Sequence, residues 1–183
     1  MGNETSKLRA LWSNFERSIF TGKGIDIGCG GDPVCEDVLQ FDQGQGDANR
    51  ITEYVADRDF DYVYSSHCLE HMHDPVGALA GWWQLVKPGG FLFLIVPDED
   101  LYEQGVWPSR FAPDHKWTFT LSKRNSWSPV SINLIELVFG NLPGSDVVMI
   151  ELQDAGYDRS IIGVDQTQGP ALAQIQCIVR KRD

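Results

Sequence analysis

The sequence predicts an α/β fold: a doubly wound, mostly parallel sheet of about seven strands with an antiparallel edge strand, layered αβα between helices. Three observations carry that expectation. From residue 23 to residue 96, short β-favouring runs alternate with segments of helical periodicity. Phe91–Val96 is continuously apolar, as a strand buried on both faces of a parallel sheet must be. Two further apolar runs, 147–152 and 172–179, follow with no helical segment between them, which suits an antiparallel pair. With 183 residues, no internal repeat and no linker, the chain is expected to form one domain, 1–183.

Each element has its own signal. Leu8, Leu11, Trp12, Phe15 and Ile19 recur at helical spacing, so 5–20 reads as an amphipathic helix ended by Thr21-Gly22. Strand one is expected at 23–28. Asp32-Pro33 turns the chain, Val34–Val38 allows one helical turn, and strand two is expected at 38–42. The dozen or so residues between the glycine turn and Asp42 hardly accommodate a crossover helix, so the first helix is short or missing. A short helix is expected at 50–57 and a strand at 60–65. Asp74 can cap the next helix, with Pro75 at its first position. Val76, Leu79, Ala80, Trp83 and Val86 form its apolar face, and Lys87-Pro88-Gly89-Gly90 stops it. Residues 98–130 are irregular and aromatic, and a helix is expected at 131–139.

Composition excludes several classes. A formal net charge of −11 disfavours nucleic-acid partners, whose binding is driven by Lys and Arg. No apolar run approaches the roughly 18 residues that would span a bilayer. The first 18 residues lack the apolar core of a signal peptide, and Cys29, Cys35, Cys68 and Cys177 form no C-x-x-C pair. A cytoplasmic protein with reduced thiols and no membrane partner is expected. The start Met1-Gly2 with Ser6 fits the short N-myristoylation pattern, which matches by chance too easily to carry weight.

Gly24–Asp32, reading GIDIGCGGD, is the most informative stretch. A buried strand enters a turn in which Gly28 and Gly30 let the backbone approach a ligand without a Cβ in the way. A dinucleotide fingerprint would be G-x-G-x-x-G, but its third glycine falls on Pro33, and Asp32 would repel a pyrophosphate. Further along come Asp42, the trio Gly46-Asp47-Ala48, the run FDYVYSSHCLEHMHDP at 60–75, and LVKPGGFLFLIVP at 85–97. In this order the motifs resemble a Rossmann-like class I S-adenosylmethionine (SAM)-dependent methyltransferase of the type 11 kind, with the signal confined to residues 22–97.

The resemblance implies SAM as cofactor and assigns residues to it. Asp42 would accept hydrogen bonds from both ribose hydroxyls, Asp47 would accept from the adenine amino group, and the Ala48 N–H would serve a ring nitrogen. Asp26 would orient the glycine loop or the SAM ammonium. Gly28, Cys29 and Gly30 would line the amino-acid part, and Ser65 and Ser66 would reach the same end. Two departures from the family pattern are Asp32, in place of a third glycine, and the shortened segment before Asp42.

The implied activity is methyl transfer, with a hydroxyl of a small molecule or sugar as the expected acceptor. A base within hydrogen-bond reach would assist. His115, beside Asp114 and flanked by aromatics, is the first candidate; His67 faces the same cleft, and Asp98, Asp100 and Glu103 are further choices. No resident metal is expected, although Asp98, Asp100 and His115 form one conceivable set of ligands. His67-Cys68-Leu69-Glu70-His71 also matches the H-x-x-E-H zinc-hydrolase motif, which would need a long helix that Asp74-Pro75 leaves no room for. A catalytically degenerate member serving as an interaction module is the other alternative reading.

Overall fold

A six-stranded sheet in the order β2-β1-β3-β4-β8-β7 forms the backbone of the computed structural model, which describes residues 4–183. The start of the N-myristoylation pattern therefore lies outside the described residues. The strands are β1 (Gly24–Ile27), β2 (Leu39–Phe41), β3 (Phe60–Ser66), β4 (Val86–Pro97), β7 (Ser145–Gln153) and β8 (Gln174–Lys181). The strands β1 to β4 run parallel. The antiparallel strand is β8, inserted between β4 and β7 and antiparallel to both, one place in from the edge. The strands β5 (Thr118–Thr120) and β6 (Ser131–Asn133) pair separately as a small parallel ribbon.

The sheet has six strands where about seven were expected, because the chain between β2 and β3 adds none. It closes a turn at Asp42 and then a 3-10 segment at Ala48–Glu53, capped by the Asp47 side chain. The expected helical turn at 34–38 is absent, and the chain passes from β1 to β2 through turns. The helix expected at 5–20 is two: α1 (Glu4–Leu11) and α2 (Asn14–Ile19). Ser13 breaks it, since its hydroxyl accepts the Glu16 N–H while the Glu16 carboxylate accepts the Ser13 N–H, a reciprocal capping box. Asp74 and Pro75 start α3 (Pro75–Leu85) as expected, with Asp74 Oδ1 accepting from Gly77 N–H at 2.9 Å. The helix α4 (Leu134–Asn141) begins later than expected because β6 and the Asn133 cap precede it.

Strand alternation divides the core into two layers. Val63, Leu92, Leu94 and Val96 face α3 and α4, meeting Leu79, Trp82, Trp83 and Val138. Tyr62, Tyr64, Phe93 and Ile95 point the other way, onto Leu8 of α1, Ile19 of α2 and Trp12 between the two helices. There Trp12 stacks on Phe20 at 4.7 Å and meets Phe93 at 5.5 Å. The described chain is thus three-layered, and no helix among the described residues is long and apolar enough to cross a membrane.

From β1 the chain goes to β2 on one side and then to β3 on the other. The reversal leaves a crevice at the carboxyl ends of β1 and β3, the place where open α/β sheets bind ligands. Asp26, in the middle of β1, is 1% exposed, and its Oδ2 accepts the Val34 N–H at 2.7 Å, tying down the chain beyond the glycine loop. Burial pushes its carboxyl up to about 7, against the lowering effect of the Val34 bond and with added repulsion from Asp32 and Asp42. Because the folded value lies above the unfolded value of about 4, the folded state holds a proton that the unfolded chain releases. Stability should therefore be greatest below pH 4 as far as this group is concerned, and fall by at most about 4 kcal/mol as pH rises to 7. Thermal melts of Asp26→Asn, whose amide oxygen can still accept from Val34, should show a gain over wild type that grows from pH 5 to pH 8; a gain independent of pH would contradict the assignment.

Candidate cofactor and acceptor clefts

Two adjoining clefts open at the carboxyl end of the sheet, of about 770 Å³ and about 460 Å³. Gly28, Gly30, His67, His71 and Asp114 line both. The larger volume lies within the range of small-ligand and cofactor sites, roughly 300–1,000 Å³.

The glycine loop is the shared wall. Gly28 and Gly30 have φ of +77° and +54°, the left-handed region that glycine enters without cost. A Cβ on Gly28 would strike the Cys68 side chain, whereas one on Gly30 or Gly31 would meet no protein atom within 4 Å. The loop thus packs at its root and presents bare backbone to the cleft. It is fixed from β2: Gly28 N–H donates to the Phe41 carbonyl at 2.8 Å and Gly30 N–H to Asp42 Oδ2 at 2.7 Å.

Asp42, Asp47 and Ala48 line the larger cleft together with Phe41, Asn49 and Tyr54. Asp42 Oδ1 also accepts the Gln43 N–H at 2.7 Å. An ionised carboxylate has about four lone-pair sites, so two remain for a ligand in the cleft. Asp47 accepts from the Asn49 N–H and side-chain amide, which hold its carboxyl below the usual range. The Ala48 carbonyl is taken by Trp82 Nε1 at 2.9 Å, anchoring the 3-10 segment to α3. Asn49 was not anticipated. Its Oδ1 also accepts the N–H groups of His73 and Asp74, so it joins the segment after β2 to the start of α3.

At the other end the placements are mixed. Ser66 lines the smaller cleft, and its buried hydroxyl has no hydrogen-bond partner, as a group waiting for a polar ligand would. Ser65 is fully buried and donates to the Ile27 carbonyl at 2.9 Å; it braces β3 against β1 and lines neither cleft. Asp26 likewise points to Val34 and lines neither. The Cys29 thiol lines the smaller cleft, where burial, with Asp26 and Asp42, pushes it up to about 11.

The smaller cleft carries the histidines. His67 has an unusual φ of +51°, and Leu69–His71 is a single 3-10 turn. H-x-x-E-H is therefore not on a helix, and the zinc-hydrolase arrangement of two histidines one turn apart does not form. Instead Glu70, fully buried, is surrounded by imidazoles: its Oε1 lies 3.5 Å from His67 Nδ1 and 3.9 Å from both His71 Nε2 and His115 Nε2. Burial acts to raise the Glu70 carboxyl, and His67, His115 and His71 outweigh it, so the group lies below its ordinary value. His115 reaches this cluster from the irregular segment. Its Nδ1 is 2.8 Å from Glu103 Oε1, its ring stacks on Tyr102 at 5.3 Å, and it meets His71 edge-on at 4.9 Å. The expected His115–Asp114 partnership is replaced: Asp114 Oδ2 sits 3.2 Å from His71 Nδ1, and Glu103 orients His115.

Asp98 and Asp100 are not brought to His115. Asp98 caps the π-helical turn Glu99–Glu103, and Asp100 pairs with Lys123 at 2.7 Å and Trp127 Nε1 at 3.0 Å. The ligand set Asp98, Asp100 and His115 does not assemble among the described residues. Glu103 and His71 are the polar partners that the sequence signals least, because their contacts span 12 and 43 positions.

Comparison with known proteins agrees with this geometry. A family model described as a methyltransferase domain matches residues 6–133. The ubiquinone biosynthesis O-methyltransferase of Stutzerimonas stutzeri is 30% identical over 118 residues, covering 50% of this chain and 51% of that protein. Its counterpart in Pseudomonas aeruginosa is 29% identical over 119 residues, with the same coverage. The chain thus spans about half the length of the curated relatives it matches. Among solved structures, a SAM-dependent methyltransferase from Archaeoglobus fulgidus superposes with a TM-score of 0.59 at 17% identity, covering 98% of this chain and 95% of that one. A putative methyltransferase from Bacillus halodurans superposes with a TM-score of 0.56 at 13% identity, covering 100% of both chains. The glycine loop laced to the end of β2, the crevice at the strand reversal and these matches together place the chain in the methyltransferase-domain family, with the fold of the class I SAM-dependent enzymes.

Proposed function

We propose that this protein transfers a methyl group from SAM to a hydroxyl of a small-molecule or glycan acceptor. The observation that carries the reading is the bare backbone of Gly30 and Gly31, held by Asp42 where the two clefts meet. SAM, when bound, supplies a methyl group already activated on a sulfonium. The protein's share is binding, alignment and handling of the acceptor proton.

Asp42, Asp47 and the Ala48 N–H would hold the nucleoside, while Gly28, Cys29, Gly30 and Ser66 would receive the amino-acid part. Asp26 and Ser65 act beneath them, fixing the loop and β1. The acceptor would enter the smaller cleft, walled by Tyr102, Phe111 and the residues around Glu70. There His115, oriented by Glu103, turns Nε2 toward the cluster and takes part in activating the hydroxyl; His67 and Asp114 complete its polar side. An oxygen acceptor accords with the O-methyltransferase relatives. The acidic composition suits a small acceptor better than nucleic acid. Four free cysteines support a reducing, cytoplasmic setting.

Two substitutions separate the halves of the site. Asp42→Ala removes an acceptor whose charge-assisted bonds are worth about 1.5–3 kcal/mol each, so calorimetry should show at least a roughly tenfold loss of affinity for S-adenosylhomocysteine. Unchanged affinity in a folded variant would refute the ribose assignment. His115→Ala should lower turnover on the true acceptor by about 10²–10⁴ while leaving S-adenosylhomocysteine affinity nearly unchanged. Intact turnover would remove His115 from the mechanism, and joint loss of binding and thermal stability would make it a packing residue.

A further inference from the structure

The cluster around Glu70 has a property that acceptor activation by one histidine does not explain. Glu70 is fully buried, and neither of its carboxylate oxygens has a hydrogen-bond partner. Leaving one such group unsatisfied costs a few kcal/mol, yet three ring nitrogens converge on Oε1 at 3.5–3.9 Å.

The far side of each ring fixes which nitrogen carries the proton. His71 Nδ1 faces Asp114 Oδ2 at 3.2 Å, and His115 Nδ1 faces Glu103 Oε1 at 2.8 Å. Both partners are carboxylates, so each Nδ1 is an N–H donor held by its partner and each Nε2 is left facing Glu70. His67 stands at the end of a chain of amides. The Glu16 carboxylate accepts from Gln176 Nε2, Gln176 Oε1 from Gln153 Nε2, and Gln153 Oε1 from Gln174 Nε2. That leaves Gln174 Oε1 to accept from His67 Nε2 at 3.0 Å, and His67 Nδ1 faces Glu70 Oε1 at 3.5 Å. A buried carboxylate and three ring nitrogens thus converge within 4 Å, which is the donor set of a borderline metal ion.

We infer that Glu70, His71 and His115 bind a divalent transition-metal ion at the wall of the smaller cleft. Their ligand atoms all lie within 4.8 Å of one another, and bonds of about 2.0–2.2 Å to an ion would draw them in by roughly an ångström. The carboxylate contacts of His71 and His115 are the outer partners that metal-bound imidazoles use to fix ring orientation. Two imidazoles and one carboxylate suit zinc or a similar borderline ion better than magnesium or calcium. All three residues line the acceptor cleft, so the remaining coordination positions open toward an acceptor oxygen. The ion would withdraw electron density from that hydroxyl and ease release of its proton to solvent or to a neighbouring base. This role in activation rests on the methyltransferase reading; the ion site itself does not.

The test is calorimetric titration of chelator-treated full-length protein with zinc chloride, with S-adenosylhomocysteine titrated separately as a check of fold. One zinc per chain is expected, with Glu70→Gln and His71→Ala each weakening it at least tenfold while S-adenosylhomocysteine still binds saturably to both variants. Zinc binding without S-adenosylhomocysteine binding would sustain the ion site and sink the methyltransferase reading. No zinc binding by the wild type, with S-adenosylhomocysteine bound normally, would overturn the site. Zinc binding unaffected by either substitution would overturn it too, by placing the ion elsewhere.

Discussion

The bond from Gly30 N–H to the Asp42 carboxylate is the interaction on which the site depends. It joins the glycine loop after β1 to the end of β2, across a connection too short for a helix. Without that helix, the loop must be shaped by its own turns. Gly28 and Gly30 supply the left-handed conformations, Phe41 and Asp42 supply the acceptors, and Asp26 secures the exit through Val34. The result is a cleft wall of backbone rather than side chain, directed to where β1 and β3 part.

The same economy shapes the smaller cleft. The Leu69–His71 turn follows β3 immediately, so the Glu70 carboxylate is carried under the surface rather than onto a helix face. Backbone N–H groups of Lys116 and Trp117 donate to the Glu70 carbonyl, fastening the irregular segment to that turn and delivering His115 beside it. The buried acid and its imidazoles are thus positioned by main-chain bonds on one side and by Glu103, Asp114 and Gln174 on the other.

How much of this was legible in the sequence depended on the range of the interaction. Apolar runs, the Asp74-Pro75 start of α3 and the glycine turn are local, and they appear in the structure where they were expected. The Ser13–Glu16 capping box is local too, but the apolar stripe from Leu8 to Ile19 runs through it and disguises the break between α1 and α2. The mostly parallel sheet with a late antiparallel pair followed from the alternation of elements, whereas the strand order and the missing strand between β2 and β3 follow only from long-range pairing and from how residues 42–59 are spent. The pairing of His115 with Glu103 instead of its neighbour Asp114 was not legible, because the π-helical turn at Glu99–Glu103 sets it. Ser65 and Ser66 show the limit of motif transfer: adjacent residues on a strand face opposite ways, and only Ser66 lines a cleft.

The central claim is that the crevice at the ends of β1, β2 and β3 is a SAM site. Calorimetric titration of the unmodified protein with S-adenosylhomocysteine tests it most directly. The account predicts saturable binding of one molecule per chain, competed by SAM. Absence of binding by a folded protein would contradict it, and would leave a methyltransferase fold that no longer holds the cofactor.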